Sequence, residues 1–231
     1  MTKETITHLE KRDLLILSSK TFEFIAKTLD LSHKRVLDIG CGYGEYMQRF
    51  GPTSVGITTR TVEVKYGTVK NRDIRIGNAE DLKATLSTTE RFDVIWCNNI
   101  FEHLLSPHSF LVHLKEFSHE HTVLILGTPI IPAVTSLATL KKFRGALAVE
   151  HINFFNHKTY QVTAERAGWN VQSLRSFVFK NAFLDKITHI FAPHLYLIAQ
   201  NNTLYHYPER KVSEWQEESY YSDLLNIMRE K

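Results

Sequence analysis

A glycine-rich turn directly after a short apolar run is the feature that most constrains the fold of this chain. The run covers residues 35–39, the turn has glycines at positions 40, 42 and 44, and a helical stretch follows over residues 45–50. A strand that leads through such a turn into a helix brings backbone amides and a helix N-terminus to one cleft, where glycines let a ligand approach the backbone. The sequence therefore predicts a ligand site at the carboxyl end of a buried parallel strand.

Strand-like and helix-like segments alternate after this turn. Further apolar runs that are typical of strands lie at residues 55–57, 73–76, 92–97 and 122–126. Helical patterns over residues 61–69 and 107–117 separate them, and a helix over 156–167 precedes two extended stretches, 169–179 and 194–199. Alternating strands and helices require right-handed crossovers, which predicts an α/β fold with a doubly wound, mostly parallel sheet.

Length and composition predict one globular domain over residues 1–231. Its predicted additions are N-terminal helices (residues 1–33), a cap insertion (130–149) and a polar C-terminal tail (203–231). The sequence shows neither a secretory signal pattern nor a long apolar span, which favours a cytoplasmic location. A net charge of +3 without a run of basic residues argues against nucleic acid as a partner.

The two cysteines, Cys41 and Cys97, lie far apart and form no CxxC pair. This spacing predicts two reduced thiols and no metal site or disulfide framework.

The position of Asp38, two residues before the first glycine, separates two classes of cofactor. A dinucleotide site usually reads GxGxxG with an acidic residue about 20 positions later, whereas the spacing here is GxGxG. A carboxylate at the turn would repel a pyrophosphate and attract an ammonium group. S-adenosylmethionine (SAM) carries both an ammonium and a sulfonium, so the charge of this turn favours SAM.

Several segments then match one family in order and spacing. Residues 36–44 resemble the first motif of class I SAM-dependent methyltransferases, and further similar motifs occupy residues 77–82, 92–104, 127–129 and 150–169. The resemblance covers roughly residues 30–200 and implies an enzyme that converts SAM to S-adenosylhomocysteine. It also implies the full fold: a Rossmann-like seven-stranded sheet, mostly parallel with an antiparallel last strand, and helices on both faces.

The resemblance assigns the methionine part of SAM to the first motif and the adenine to the third strand end. The implied residues are Asp38, Gly40, Cys41 and Gly42 for the methionine part, Asn78 and Ala79 for the adenine, and Asn98 from the fourth-strand motif. For Asp38, a role as a cap on the amides of its own turn is the structural alternative. Asn78 replaces the aspartate that is usual in the family, and its amide oxygen can still accept a hydrogen bond from adenine.

The ribose position departs from the family pattern. The second strand commonly ends in Asp or Glu, but Thr58 stands at this point. We predict that Thr58 or Glu63 takes the place of the missing carboxylate. The alternative for Glu63 is a solvated charge on a surface helix.

Two of the twelve histidines stand where the methyl group should be transferred. His103 follows the fourth strand and His151 follows the cap insertion, and both are predicted at the carboxyl rim of the sheet as candidate bases for a hydroxyl acceptor. Packing is the alternative role for either imidazole. The fourth-strand motif lacks the Pro-Pro pair of one large group of nitrogen methyltransferases, which favours methylation of oxygen.

The sequence thus predicts methylation of a small-molecule acceptor, with sugars, quinone-type phenols and natural products all open. Two alternatives remain: an RNA methyltransferase, and a methyltransferase-like protein that binds SAM without catalysis. A nicotinamide oxidoreductase fits the turn less well because of Asp38 and Thr58. The sequence leaves a homodimer open.

Overall fold

A computed structural model describes residues 3–132, 141–177, 179, 181, 183–185 and 192–208. Residues 133–140 of the predicted cap and residues 209–231 of the predicted tail lie outside the described residues. Among the helices that the structure describes, none is long and apolar enough to cross a membrane.

Seven strands form one sheet in the order β3-β2-β1-β4-β5-β7-β6. They are β1 (Val36–Ile39), β2 (Val55–Thr58), β3 (Asp73–Ile76), β4 (Phe92–Asn98), β5 (Ser118–Pro129), β6 (Trp169–Arg175) and β7 (His194–Asn201). The first five strands pair in parallel, and β7 runs antiparallel to both β5 and β6. The predicted fold class is therefore confirmed. Strand order reverses between β1 and β4, which is where such sheets bind ligands.

α-Helices and several short 3₁₀ turns surround the sheet. The helices whose bounds lie within the described residues are α1 (Lys3–Leu17), α2 (Lys20–Thr28), α3 (Thr61–Val69), α4 (Pro107–His113) and α5 (His157–Arg166). A capping box of Asn156 and Thr159 begins α5, because each side chain binds the backbone N–H of the other residue.

The helix predicted over residues 45–50 is wrong in type. It is a single 3₁₀ turn, Tyr46–Arg49, because Gly44 and Gly51 leave too few residues between them to nucleate an α-helix. The second half of the helix predicted over 107–117 is likewise a 3₁₀ turn, Leu114–Phe117.

Apolar side chains pack on both faces of the sheet because alternate residues of each strand point to opposite sides. On one face, Leu37 and Ile95 belong to a cluster that also contains residues of α4 and α5. On the other face, Val36 and Trp96 pack with Phe22 of α2. The core fixes the positions at which β1, β2 and β4 end, and those ends hold the candidate site.

Candidate active site

A cleft of about 310 Å³ opens at the carboxyl ends of the central strands. It lies over the segments that follow β1, β2, β3 and β4. Its lining includes many of the residues predicted from the sequence: Gly40, Gly42, Thr58, Glu63, Asn78, Ala79 and His103.

The glycine turn brings bare backbone to this cleft. Gly40, Gly42 and Gly44 all have positive φ, at 73°, 55° and 76°. A Cβ at Gly40 would lie 2.7 Å from Cδ1 of Ile100, so this position requires glycine for space as well as for conformation.

Asp38 is a buried acid whose charge is not compensated within the described structure. It is 1% exposed, and its Oδ2 has no hydrogen-bond partner among the described residues. Burial, together with the nearby Glu45 carboxylate, raises the pKa of Asp38 well above its usual range. The amides of Gly40 and Cys41 donate to the carbonyl of Ile57 at 3.0 Å, so they are not capped by the Asp38 side chain.

This arrangement fits the ammonium of SAM. The second acid, Glu45, already has a cation, because its Oε1 lies 2.9 Å from a guanidinium nitrogen of Arg12. Asp38 has no such partner among the described residues, and an ammonium group would supply both a positive charge and donors for its unpaired oxygen.

Thr58 and Glu63 meet at the end of β2. The hydroxyl of Thr58 donates to the Glu63 carboxylate, and Arg60 Nη1 lies 3.3 Å from the other carboxylate oxygen. Glu63 is only 5% exposed and lines the cleft. The alternative of a solvated surface charge is therefore wrong, and a carboxylate stands next to the position where the family usually has one.

Asn78 uses its amide oxygen locally. Its Oδ1 accepts the backbone N–H of Glu80 at 3.0 Å, which closes a side-chain turn directly after β3. The oxygen predicted to meet adenine therefore already has one donor, because a short polar side chain competes for nearby backbone groups. Asn78 and the half-buried Ala79 still line the cleft.

Cys41 and Asn98 do not line the cleft, and neither Asp38 nor His151 contributes to its lining. The Cys41 thiol packs toward β2, where a Cβ on Gly56 would come within 2.7 Å of its sulfur, and burial raises the thiol pKa. Asn98 donates from Nδ2 to the hydroxyl of Tyr46 at 3.0 Å, while its buried Oδ1 has no partner among the described residues. Sequence pattern did not distinguish these two residues from the ones that face the cleft.

The two predicted histidines come together beside the cleft, which His103 lines. The rings of His103 and His151 lie 4.7 Å apart, nearly perpendicular at 82°. Between them and the sheet lies Glu102, 1% exposed, which the sequence analysis did not assign to the site. Its Oε1 is 4.0 Å from Nε2 of His151, and its Oε2 accepts a hydrogen bond of 2.9 Å from Thr128 at the end of β5. The Glu-His pair in the fourth-strand motif is the signal that could have indicated it.

Comparison with known proteins defines the class to which this fold and cleft belong. The family described as "Methyltransferase domain" matches residues 10–174. The chain therefore belongs to this methyltransferase family. The resemblance to class I SAM-dependent methyltransferases is confirmed, and SAM is the cofactor of that class.

Among curated proteins, the chain is similar to ubiquinone biosynthesis O-methyltransferases. The protein from Actinobacillus pleuropneumoniae is 35% identical over 113 residues, which is 44% of this chain and 48% of that protein. The one from Xanthomonas oryzae is 31% identical over 172 residues, 69% of this chain and 70% of that protein. The chain spans about half the length of the first curated relatives that it matches.

Solved SAM-dependent methyltransferases share the fold. The structure from Archaeoglobus fulgidus has a TM-score of 0.56 at 18% identity, and the alignment covers 78% of this chain and 94% of the Archaeoglobus chain. The structure from Clostridium acetobutylicum has a TM-score of 0.58 at 9% identity, and the alignment covers 86% of this chain and 98% of the Clostridium chain.

Proposed function

We propose that the chain transfers a methyl group from SAM to a hydroxyl oxygen of a small-molecule acceptor. The observation that carries the cofactor half is the buried, unpaired carboxylate of Asp38 beside the positive-φ glycines. The acceptor half rests on the relatives, whose names describe O-methyltransferases, and on the paired imidazoles beside the cleft.

Each part of SAM has candidate partners along the cleft. When bound, SAM supplies a methyl group on a sulfonium sulfur, from which the neutral thioether is a good leaving group. Asp38 accepts hydrogen bonds from the ammonium, and the Thr58–Glu63 pair accepts from the ribose hydroxyls. Ala79 contacts the adenine ring with its neighbour Asn78, whose oxygen has one further lone pair.

The acceptor hydroxyl has to be aligned with the methyl group and has to lose its proton. Alignment supplies much of the acceleration in such a displacement. His103 lines the cleft and the ring of His151 packs edge-on against the His103 ring, so these two side chains are the candidates for accepting the proton of the hydroxyl. We propose a quinone-type phenol as the acceptor, which the names of the relatives favour over a sugar or an RNA.

A transfer assay tests this proposal. The full chain is incubated with SAM and a panel of phenols, catechols, sugars and bulk tRNA, and products are followed by mass spectrometry together with S-adenosylhomocysteine. We expect stoichiometric S-adenosylhomocysteine and a methyl ether on a phenolic acceptor. Methylation of tRNA alone would favour the RNA alternative. Tight SAM binding without transfer to any class of acceptor would favour the non-catalytic alternative.

Three broader predictions remain proposals. A cytoplasmic location is supported by two free, buried thiols, which suit a reducing compartment. A single domain over residues 1–231 and a homodimer are the other two.

A further inference from the structure

We infer that Glu102, His103 and His151 form a binding site for a divalent transition-metal ion at the acceptor end of the cleft. We call these three side chains the Glu-His-His cluster. The inference deepens the proposed function, since it rests on an acceptor hydroxyl being methylated there. It departs from the sequence analysis, which predicted no metal.

The geometry brings three donor atoms close together. One ligand atom from each side chain lies within 4.8 Å of the others. Two of the residues come from the 3₁₀ turn after β4, Phe101–His103, and the third comes from the segment after the cap. The backbone ties these segments together, because the carbonyl of Glu102 accepts the N–H groups of Ile152 and Asn153 at 3.1 and 3.0 Å. The site is thus held in place by hydrogen bonds that need no ion.

Two hydrogen bonds orient the ligands in the way that metal sites commonly show. Nδ1 of His103 donates to the carbonyl of Glu150 at 3.1 Å, which leaves the lone pair of Nε2 available to an ion. The hydroxyl of Thr128 donates to Oε2 of Glu102 at 2.9 Å and leaves Oε1 free. Ligating imidazoles and carboxylates usually have such outer partners.

A cation bound between Oε1 of Glu102 and Nε2 of His151 would satisfy the unpaired carboxylate oxygen and leave Nδ1 of His151 as it is. Oε1 of Glu102 and Nδ1 of His151 are both buried and have no hydrogen-bond partner among the described residues. A buried carboxylate oxygen without a partner is costly. The 4.0 Å between Oε1 of Glu102 and Nε2 of His151 is too long for a hydrogen bond, yet two metal–ligand bonds of about 2.0–2.1 Å span up to that distance.

The donor set indicates the kind of ion and its role. Two imidazoles and one carboxylate with open positions suit Zn²⁺, Co²⁺ or Fe²⁺, whereas Mg²⁺ and Ca²⁺ prefer sites made only of oxygen. A cation here stabilises the deprotonated acceptor hydroxyl, and the proton leaves to solvent. The acceptor oxygen then forms its bond to the methyl carbon as the carbon–sulfur bond breaks, and the electron pair of that bond remains on the thioether sulfur. No oxidant or reductant is required.

Metal binding to the chelator-treated full chain tests the site directly. ZnCl₂ is titrated by calorimetry, and CoCl₂ is followed by its visible absorption, which reports nitrogen and oxygen ligation. The test variants are Glu102→Gln and the more exposed His103→Gln, and the matched control is His121→Gln at an exposed histidine beside Glu120. We expect one site in the wild type and in His121→Gln, weakened at least about tenfold in both test variants.

Each result decides the inference. Absence of Zn²⁺ and Co²⁺ binding in the wild type overturns it, as does equal binding by His103→Gln. Loss of binding in His121→Gln alone would place the ion at the far end of the sheet and also overturn it. The proposed function is tested separately. Full methyl transfer in excess chelator would contradict a role for the metal and still support the methyltransferase activity. Metal binding without any methyl transfer would support the metal site and contradict the proposed function.

Discussion

Replacing Asp38 by asparagine removes the negative charge that we assign to the ammonium of SAM while keeping the size of the side chain. A hydrogen bond to a charged partner contributes about 1.5–3 kcal/mol. Asp38 is only 1% exposed, so solvent does not screen this interaction appreciably. At about 1.4 kcal/mol per factor of ten, the variant should bind SAM roughly ten- to a hundredfold more weakly.

The raised pKa of Asp38 adds a pH signature that a merely structural role would lack. An ammonium favours the ionised carboxylate, so SAM binding lowers this pKa and releases protons. Wild-type affinity should weaken as pH falls through the raised pKa, and this dependence should be lost in Asp38→Asn.

Calorimetric titration with SAM in buffers of different ionisation enthalpy measures both quantities. The exposed Asp30→Asn serves as the control and should behave as the wild type. Unchanged affinity in Asp38→Asn would refute the reasoning, as would proton release that persists in the variant.

Three further outcomes follow from the same contacts. The folded-state pKa of Asp38 is raised, so its contribution to stability is present below the unfolded pKa and is lost as pH rises through the folded one. The Tm of Asp38→Asn relative to the wild type should therefore increase as pH rises above the usual range of an aspartate. Thr58→Val and Glu63→Gln should each weaken SAM binding about two- to tenfold, because each loses a hydrogen bond with a net contribution of about 0.5–1.5 kcal/mol. The control Thr68→Val, at the exposed end of α3, should bind SAM as the wild type does. Equal affinities in all three variants would contradict a role of Thr58 and Glu63 in binding the ribose. Gly40→Ala should lower the free energy of unfolding by about 1–2 kcal/mol or more, because the position has a positive φ and the new Cβ would press against Ile100. Urea denaturation measures this loss, and wild-type stability of the variant would contradict the turn geometry.

The strands and their order along the chain could be predicted because apolar runs report burial directly. The run over residues 92–97 corresponds closely to β4, and the extended stretch at 194–199 lies within β7. The 3₁₀ turn after the glycines could not be predicted from the helical pattern of residues 45–50. The close spacing of Gly44 and Gly51 prevents an α-helix there whatever the helix propensity of the residues between them.

The site was predictable where one segment determines the chemistry. Asp38 and its glycines are such a case, since charge and spacing are both local. Glu102 was not assigned because its importance arises from tertiary contacts: Thr128 comes from β5 and His151 from beyond the cap. Asn78 is the opposite case, a residue that the family resemblance assigns to adenine. Its side-chain oxygen already accepts the backbone N–H of Glu80, and the sequence pattern does not indicate this hydrogen bond.

A crystal structure of the chain with S-adenosylhomocysteine tests the assignment of the cleft most directly. We expect the amino group of the ligand within hydrogen-bond distance of Oδ2 of Asp38, with the ribose beside Thr58 and Glu63 and the sulfur toward His103. A ligand bound elsewhere, or in this cleft with its amino group away from Asp38, would contradict it.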